Sequence, residues 1–406
     1  MTYEGPTWQW SKILIGFGVF FVSFLEFRAP EMLFTLSDFF FMVGGALFLL
    51  TCRLPTRPFS SLTGFWYLAF GLMISGLLVS SLANDAAIRW VLVTIQYAFA
   101  FIFIALLLLD IKEHRWLFFA RALIAGVVVM EVLAIGYYFY SSGVYNPTSD
   151  LGVDIVSGAG RLVGFIGNPN QNGAIVAMCL PFVFFFRSKR LISFPVMVFV
   201  LAVFITALIL TASVTGLFTA VLGAVLYAAA SRNVPSWRYG LLAIIAVPIV
   251  MSMDITLPRA FENRIAPALE SGNIEEAGTY TGRYDLIVEA WSMTDENFLV
   301  GLGVDQFRVI SDHKAPVHNS LLLLWVEGGF ISAVSWIAMM GVLGFGCLAA
   351  IAKRPQQAAL GLSVLIIFFV YSMTATHMYA RSWVVPLLLA VGPAFAPIIS
   401  RKNQRI

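Results

Sequence analysis

Residues 191–231 read LISFPVMVFVLAVFITALILTASVTGLFTAVLGAVLYAAAS, 41 positions without one charged side chain. A helix needs about 20 apolar residues to cross a bilayer. The stretch therefore holds two crossings, and the small polar residues from Thr211 to Thr215 mark a tight turn between them. Just before it, Arg187-Ser188-Lys189-Arg190 carries three positive charges. A basic cluster against a span marks the cytoplasmic end.

Working outward, the runs 58–84, 90–109, 162–186, 328–352, 355–380 and 382–400 each have room for one span. Four shorter or acid-bearing regions, 13–27, 32–52, 116–141 and 239–253, bring the expected total to twelve. The composition agrees. The chain of 406 residues is 60% hydrophobic and 12% charged, whereas a soluble domain carries about 25% charge. That excludes an ordinary cytosolic enzyme, a disordered chain and a secreted disulfide scaffold. The formal net charge of +3 implies no nucleic-acid partner. Cys52, Cys179 and Cys347 fall inside apolar runs and read as small buried hydrophobes. No cleavable leader pattern is expected at the start.

Lysine and arginine set the orientation. With both termini in the cytoplasm, sixteen of the 25 basic residues lie on the inner side and nine on the far side. Trp90, Trp116, Trp237 and Trp383 fall near expected span ends, where interfacial anchors belong. The expected fold is an all-α polytopic membrane protein. Residues 1–406 form one integral membrane domain, with a periplasmic loop over 142–170 leading into a helix and a large periplasmic loop over 254–317 containing short helices. Loops held by a rigid scaffold carry function, so the chemistry is expected to face outward.

Three motifs lie on that face. The first is Gly160-Arg161-Leu162-Val163-Gly164-Phe165-Ile166-Gly167-Asn168-Pro169-Asn170-Gln171-Asn172-Gly173. Asn168 suits a helix cap and Pro169 the first helical position. A helix N-terminus with Arg161 nearby can hold an anion such as a pyrophosphate; a plain cap with an interfacial arginine explains the same residues. The second runs from Thr281 to Phe307. Tyr284, Ile287, Val288 and Trp291 recur at helical spacing, which predicts a short amphipathic helix packed on the membrane part, followed by a Gly301-Leu302-Gly303 turn. Arg283 opens that helix, where a cation opposes the helix dipole. Such a residue has a partner elsewhere or is simply solvated. The third motif is Val317 to Phe330. His318, beside Asn319, opens a span and suits hydrogen bonding or proton transfer; an interfacial polar cap is the bland alternative. Glu327 lies nine residues on, about 180° round a continuous helix. It shares a face with His318 only if Gly328–Gly329 breaks the helix, and a structural partner is expected for it.

The far side has no Asp-x-Asp pair, no Walker A sequence and no dinucleotide fingerprint. Asp295–Glu296 and Glu275–Glu276 read as solvated pairs. No metal or cofactor is expected.

These three motifs, in this order on one face of twelve spans, resemble the O-antigen ligase and O-antigen polymerase family. The most specific stretch runs from Asp254 to Gly329. The resemblance implies a C-type membrane glycosyltransferase in the bacterial inner membrane, inverting and metal-independent. It would take a glycan from an undecaprenyl-pyrophosphate carrier at the periplasmic face. The acceptor would be a lipid A-core sugar for a ligase, or a second lipid-linked glycan for a polymerase. By the same resemblance, Arg161 and Arg283 would hold the pyrophosphate, and His318 would position or deprotonate the acceptor hydroxyl. Asn168, Asn170 and Asn319 join them as expected substrate contacts.

The sequence also departs from the family. Many members carry a Ser-Arg turn between two successive spans; here Val214 stands where the arginine would be. One phosphate contact is then either absent or supplied elsewhere, with Arg264 and Arg381 the candidates to substitute. The family often has proline before the Gly-x-Gly turn, and here Phe298-Leu299-Val300 precedes Gly301. Ligase and polymerase stay level. The competing class is a lipid-linked glycan flippase or other transporter. Transporters tend to show repeats and mid-membrane charges; no repeat is visible here, and Glu131 is the clearest mid-span acid.

Overall fold

The computed structural model describes residues 6–28, 34–51, 56–109, 112–145, 153–231, 259–262, 280–376 and 378–396. Among them the protein is all-helical, with two isolated bridges, Arg28 to Thr35 and Val156 to Leu162, as its only β contacts. We label the main helices α1 (Pro6–Phe20), α2 (Leu36–Thr51), α3 (Thr63–Ala83), α4 (Ala87–Leu108), α5 (Glu113–Tyr140), α6 (Pro169–Ser188), α7 (Phe194–Thr211), α8 (Val214–Ala230), α9 (Tyr280–Glu296), α10 (Ser320–Ala350), α11 (Pro355–Ser372) and α12 (Arg381–Phe395). Seven of these elements are long and apolar enough to cross a membrane, and α1, α2, α8 and α12 are shorter apolar helices. This is the architecture of a polytopic membrane protein. The expected span at 239–253 lies outside the described residues.

Helical crossings are the expected form of such a chain. In a bilayer core no water satisfies backbone groups, so each segment closes its own hydrogen bonds. The uncharged 191–231 stretch folds as two helices. α7 ends where Ala212 turns into the left-handed region (φ 45°, ψ 42°). Ser213 then caps α8, accepting from the Gly216 N–H at 3.2 Å. Small residues let α6 and α8 approach closely: a Cβ on Gly216 would stand 3.2 Å from the Gly173 Cα. α6 is the most enclosed helix, with every residue from Asn172 to Phe186 buried. Several boundaries differ from the charge-free runs. α6 begins at Pro169, after a 3-10 turn at Gly164–Ile166, and α10 begins at Ser320. Charge-free sequence marks what lipid tolerates, whereas caps decide where a helix starts.

The connections sort onto two faces. The α1–α2, α3–α4, α5–α6, α7–α8 and α11–α12 connections share one face with α9 and residues 297–319, which we call the loop face. Backbone bonds stitch it together: Glu26 N–H to the Phe165 carbonyl at 3.0 Å, and Leu162 N–H to the Leu210 carbonyl at 2.9 Å.

Candidate functional site

The loop face is organised by a break in α10. Gly329 adopts φ 74°, ψ 178°, a backbone region open essentially to glycine. The break frees the carbonyls of Val326 and Glu327, and the Gly-Leu-Gly turn fills them. Leu302 N–H donates to Val326 at 2.8 Å and Gly303 N–H to Glu327 at 2.9 Å. Phe330 N–H reaches back to the Phe298 carbonyl at 2.9 Å. From α3, the Ser80 hydroxyl donates to the Glu327 carbonyl at 2.5 Å and accepts from Gly303 N–H at 2.6 Å. Ser81 accepts from Val304 N–H at 3.1 Å. A side chain on Gly301 would place its Cβ 2.5 Å from the Glu327 carbonyl carbon. The carboxyl of Glu327 faces the backbone N–H groups of Asp305 and Phe307, the structural partners its position called for.

This interlock seats α9 over the mouth of α10. Asn319 caps α10, its side-chain oxygen accepting from Leu322 N–H at 3.0 Å. His318 precedes the cap, partly buried and within electrostatic reach of Arg283 on α9. Burial first, and the Arg283 charge second, hold the His318 imidazole below the ordinary histidine value. At neutral pH it is therefore an uncharged ring able to accept a proton.

The face that α9 packs differs from the one the periodicity suggested. Leu286, Ala290 and Thr294 are buried, with Ile287 and Met293 packed beside them. Tyr284, Val288 and Trp291 point outward. Trp291 meets Trp325 edge-on at 5.7 Å, and Trp325 meets Phe298 at 5.5 Å. In a membrane protein an outward aromatic stripe at a span's mouth suits the interface, so apolar spacing alone did not identify the core side. Behind α9, Glu289 accepts from the Ser311 hydroxyl at 2.7 Å and from Asp312 N–H at 2.7 Å, and meets His313 Nδ1 at 3.1 Å. Burial works to raise the Glu289 value, but these hydrogen bonds and the histidine's charge outweigh it, and the carboxyl sits below its ordinary range.

Arg161 belongs to a second cluster. It is 7% exposed. Its Nε donates to the Thr211 carbonyl at 2.8 Å and its NH2 to the Asn170 side chain at 2.8 Å. Asn168 caps α6, accepting from Asn170 N–H at 2.8 Å. The guanidinium thus lies against the very turn that carries Val214. Val214 itself is partly buried in an apolar cluster with Phe261, Ile209 and Leu217. The buried Tyr371 on α11 stands within electrostatic reach of Arg161 and beside Ser213 and Thr219. Nearby, the Asn172 amide approaches Glu131 at 3.5 Å, which gives the mid-span acid a neighbour on α6.

Arg381 is held elsewhere. Its Nε pairs with the fully buried Asp38, its NH1 donates to the Gln96 side-chain oxygen at 2.8 Å, and it stacks on the Phe99 ring at 5.1 Å. Asp38 also accepts from the Thr35 hydroxyl at 2.8 Å. This network joins α2, α4 and α12. Arg264 and His377 lie outside the described residues.

The structure thus brings Arg283, His318 and Asn319 together at one helix mouth, and Arg161, Asn168 and Asn170 at another. The outer end of α11 touches both: Tyr371 lies toward Arg161, while the Ala375 carbonyl just beyond accepts from Ser320 at 3.0 Å. Sequence reasoning missed Tyr371, Ser80 and the Asp38–Arg381 pair, because each sits in an apolar run without local pattern. No group of three or more His, Cys, Asp or Glu side chains converges among the described residues. Residues 198–337 match the family model described as O-antigen ligase. That span contains Arg264, Arg283, His318 and Asn319, and supports the resemblance read from the motifs. No curated protein matches the sequence.

Proposed function

We propose a membrane glycosyltransferase acting at the periplasmic face of the bacterial inner membrane, a reading supported by the match of residues 198–337 to the O-antigen ligase family model. Twelve spans with both termini in the cytoplasm place the 142–170 and 254–317 loops outside. The donor is a glycan on undecaprenyl pyrophosphate, and the acceptor is a sugar hydroxyl on a lipid A core or on a second lipid-linked glycan. The observation that carries this reading is the placement of Arg283 within electrostatic reach of the half-buried His318 at the mouth of α10, inside the family-matched span.

The chemistry follows from those two groups. The acceptor oxygen bonds to the donor's anomeric carbon as the bond from that carbon to the pyrophosphate breaks. Charge builds on the departing pyrophosphate, where a guanidinium offers forked contacts. Arg283 and Arg161 take that role, Arg161 from beside the Thr211–Thr215 turn. The proton leaves the acceptor hydroxyl for His318. Asn168 and Asn319 cap the helices that aim these groups, Asn170 holds Arg161, and Arg381 acts through the elements it ties together. Metal-independence rests on the family resemblance and on outer loops without a paired carboxylate motif.

The test is transfer by the purified protein between an undecaprenyl-pyrophosphate glycan and candidate acceptors, with and without chelator. Wild type should transfer in EDTA. Arg283→Ala should lower the rate about 10²–10³-fold, as loss of one such donor does, and Arg283→Lys should recover only part. Full activity in Arg283→Ala would remove it from the site. Activity lost to EDTA and restored by Mg²⁺ would overturn the metal-free mechanism. Glycan movement across the membrane without a new bond would favour a flippase.

A further inference from the structure

A half-open cavity of about 220 Å³ lies beside the α10 mouth on the loop face. Three elements converge on it: α4 with Arg89 and Gln96, the loop before α10 with Asp305 and Arg308, and the segment before α12 with Thr376 and Tyr379. None of these side chains belongs to the donor-handling groups above.

Its chemistry is donor-rich. Asp305 pairs with Arg89, and Arg308 approaches the same carboxylate at 3.5 Å. The lining thus carries two guanidiniums and one carboxylate, and both arginine side chains are nearly half exposed at 44% and 48%. Gln96 gives its carbonyl oxygen to Arg381, which commits its amide N–H₂ to the other side. This is the positioning role of Arg381. Tyr379 is braced edge-on by the Tyr97 ring at 5.1 Å. Burial, then the Asp305 charge, hold its phenol above the ordinary value against the pull of Arg89 and Arg381, so it keeps its proton and can donate.

Size and place narrow the ligand. Pockets for drug-sized molecules run about 300–1,000 Å³, so this one suits a single sugar ring. Pro316 lines the cavity and precedes His318 by two residues, at most about 7 Å of chain. The Thr376 wall is tied to the same mouth through the Ser320–Ala375 hydrogen bond. The cavity and the histidine thus share the segment that leads into α10.

We propose that this cavity is the acceptor subsite, and that it selects a terminal sugar carrying an anionic group, a uronate or a phosphate. The inference rests on the transferase reading above and adds the acceptor's chemical class. Two guanidiniums sharing one carboxylate can re-pair with an incoming anion, while the amide and hydroxyls take the ring's oxygens.

Ligand-observed NMR on the full chain in lipid nanodiscs tests it, titrating D-glucuronate, glucose 1-phosphate and glucose. Undecaprenyl pyrophosphate binding is measured on the same samples. At least one anionic sugar should bind about tenfold more tightly than glucose. Arg308→Gln should weaken that binding about tenfold, the effect of losing one charge-assisted contact. Tyr379→Phe should weaken binding of both charged and neutral sugars. Undecaprenyl pyrophosphate binding should be unchanged in both variants, which also shows that they fold. Preference for glucuronate alone or for the phosphate alone identifies the group. Equal affinity for glucose, or unchanged selectivity in Arg308→Gln with carrier binding intact, overturns the subsite and leaves the transferase reading standing. Anionic-sugar selectivity in a protein that does not bind the carrier would instead overturn the donor assignment.

Discussion

His318 and Arg283 depend on each other, and the sign of that dependence is testable. A cation beside an imidazole disfavours its charged form, and burial acts in the same direction. A base must be neutral to work, so the rate should rise with pH through a value below the ~6.5 of a free histidine. Arg283→Gln removes the second of the two causes and should move that acidic limb upward, alongside its loss of rate. Profiles of kcat/KM against pH for wild type and variant check this; a limb that stays in place would separate the two residues. His318→Gln divides the remaining possibilities. Glutamine can position a hydroxyl but cannot accept a proton at neutral pH. We expect it to resemble His318→Ala, down about 10²–10⁴-fold, with carrier binding retained. Wild-type rate in His318→Gln would mean that the ring only orients the acceptor.

At the scale of elements, the break in α10 is where the site is assembled. A helix interrupted near its mouth leaves carbonyls that must find donors, and here the 301–303 turn supplies them. The consequence is rigid seating of the loop that carries α9, and with it Arg283. Gly329→Ala forces a non-glycine residue into a region costing about 1–3 kcal/mol, and its Cβ would also meet the Leu299 carbonyl oxygen. The variant should show a lowered thermal midpoint in detergent and faster hydrogen exchange at Leu302 and Gly303. Gly64→Ala on α3, where nothing lies within 4 Å of an added Cβ, should be neutral by both measures. Equal behaviour of the two would mean that the interlock carries little. The Glu289 clasp is a second device of this scale. Its depressed carboxyl contributes stability that is present above the ordinary carboxylate value and lost as pH falls through the depressed one. Protection of the 306–314 segment should therefore fade only in acid.

Across the whole molecule, the two faces differ in kind. The loop face gathers the buried Asp38–Arg381 pair, the side-chain caps and the two arginine clusters. The opposite face gathers Lys189, Lys353 and Arg354 around the start of α11. In the topology we propose, the positive-inside bias puts that basic face in the cytoplasm. In a background with Cys52 replaced by serine, Asp312→Cys should react with a membrane-impermeant thiol reagent in cells whose outer membrane is permeabilised. Lys189→Cys should react only after lysis. Cys179 and Cys347 are buried and should stay silent. The reverse labelling pattern would invert the topology and remove the site from the periplasm.

Hydrophobic periodicity and charge placement were enough to declare a polytopic helical membrane protein, because a bilayer permits few other folds. They also located the turn near Thr211–Thr215 and singled out His318 and Arg283, since polar residues at span mouths stand out against apolar runs. Capping by Asn168 was legible too, being a local property of three or four residues, whereas the cap that Asn319 forms on α10 was not. The rest was set by packing across distant segments. Arg381 looked like a spare cation, and only the approach of α2 and α4 supplied Asp38 and Gln96 as its partners. The buried face of α9 could not be read from apolar spacing, because at a membrane surface both lipid and protein accept aromatic side chains. The sugar-sized cavity has the same origin: its walls are separated by more than 200 residues along the chain, and no local pattern announces groups that meet only when the helices pack.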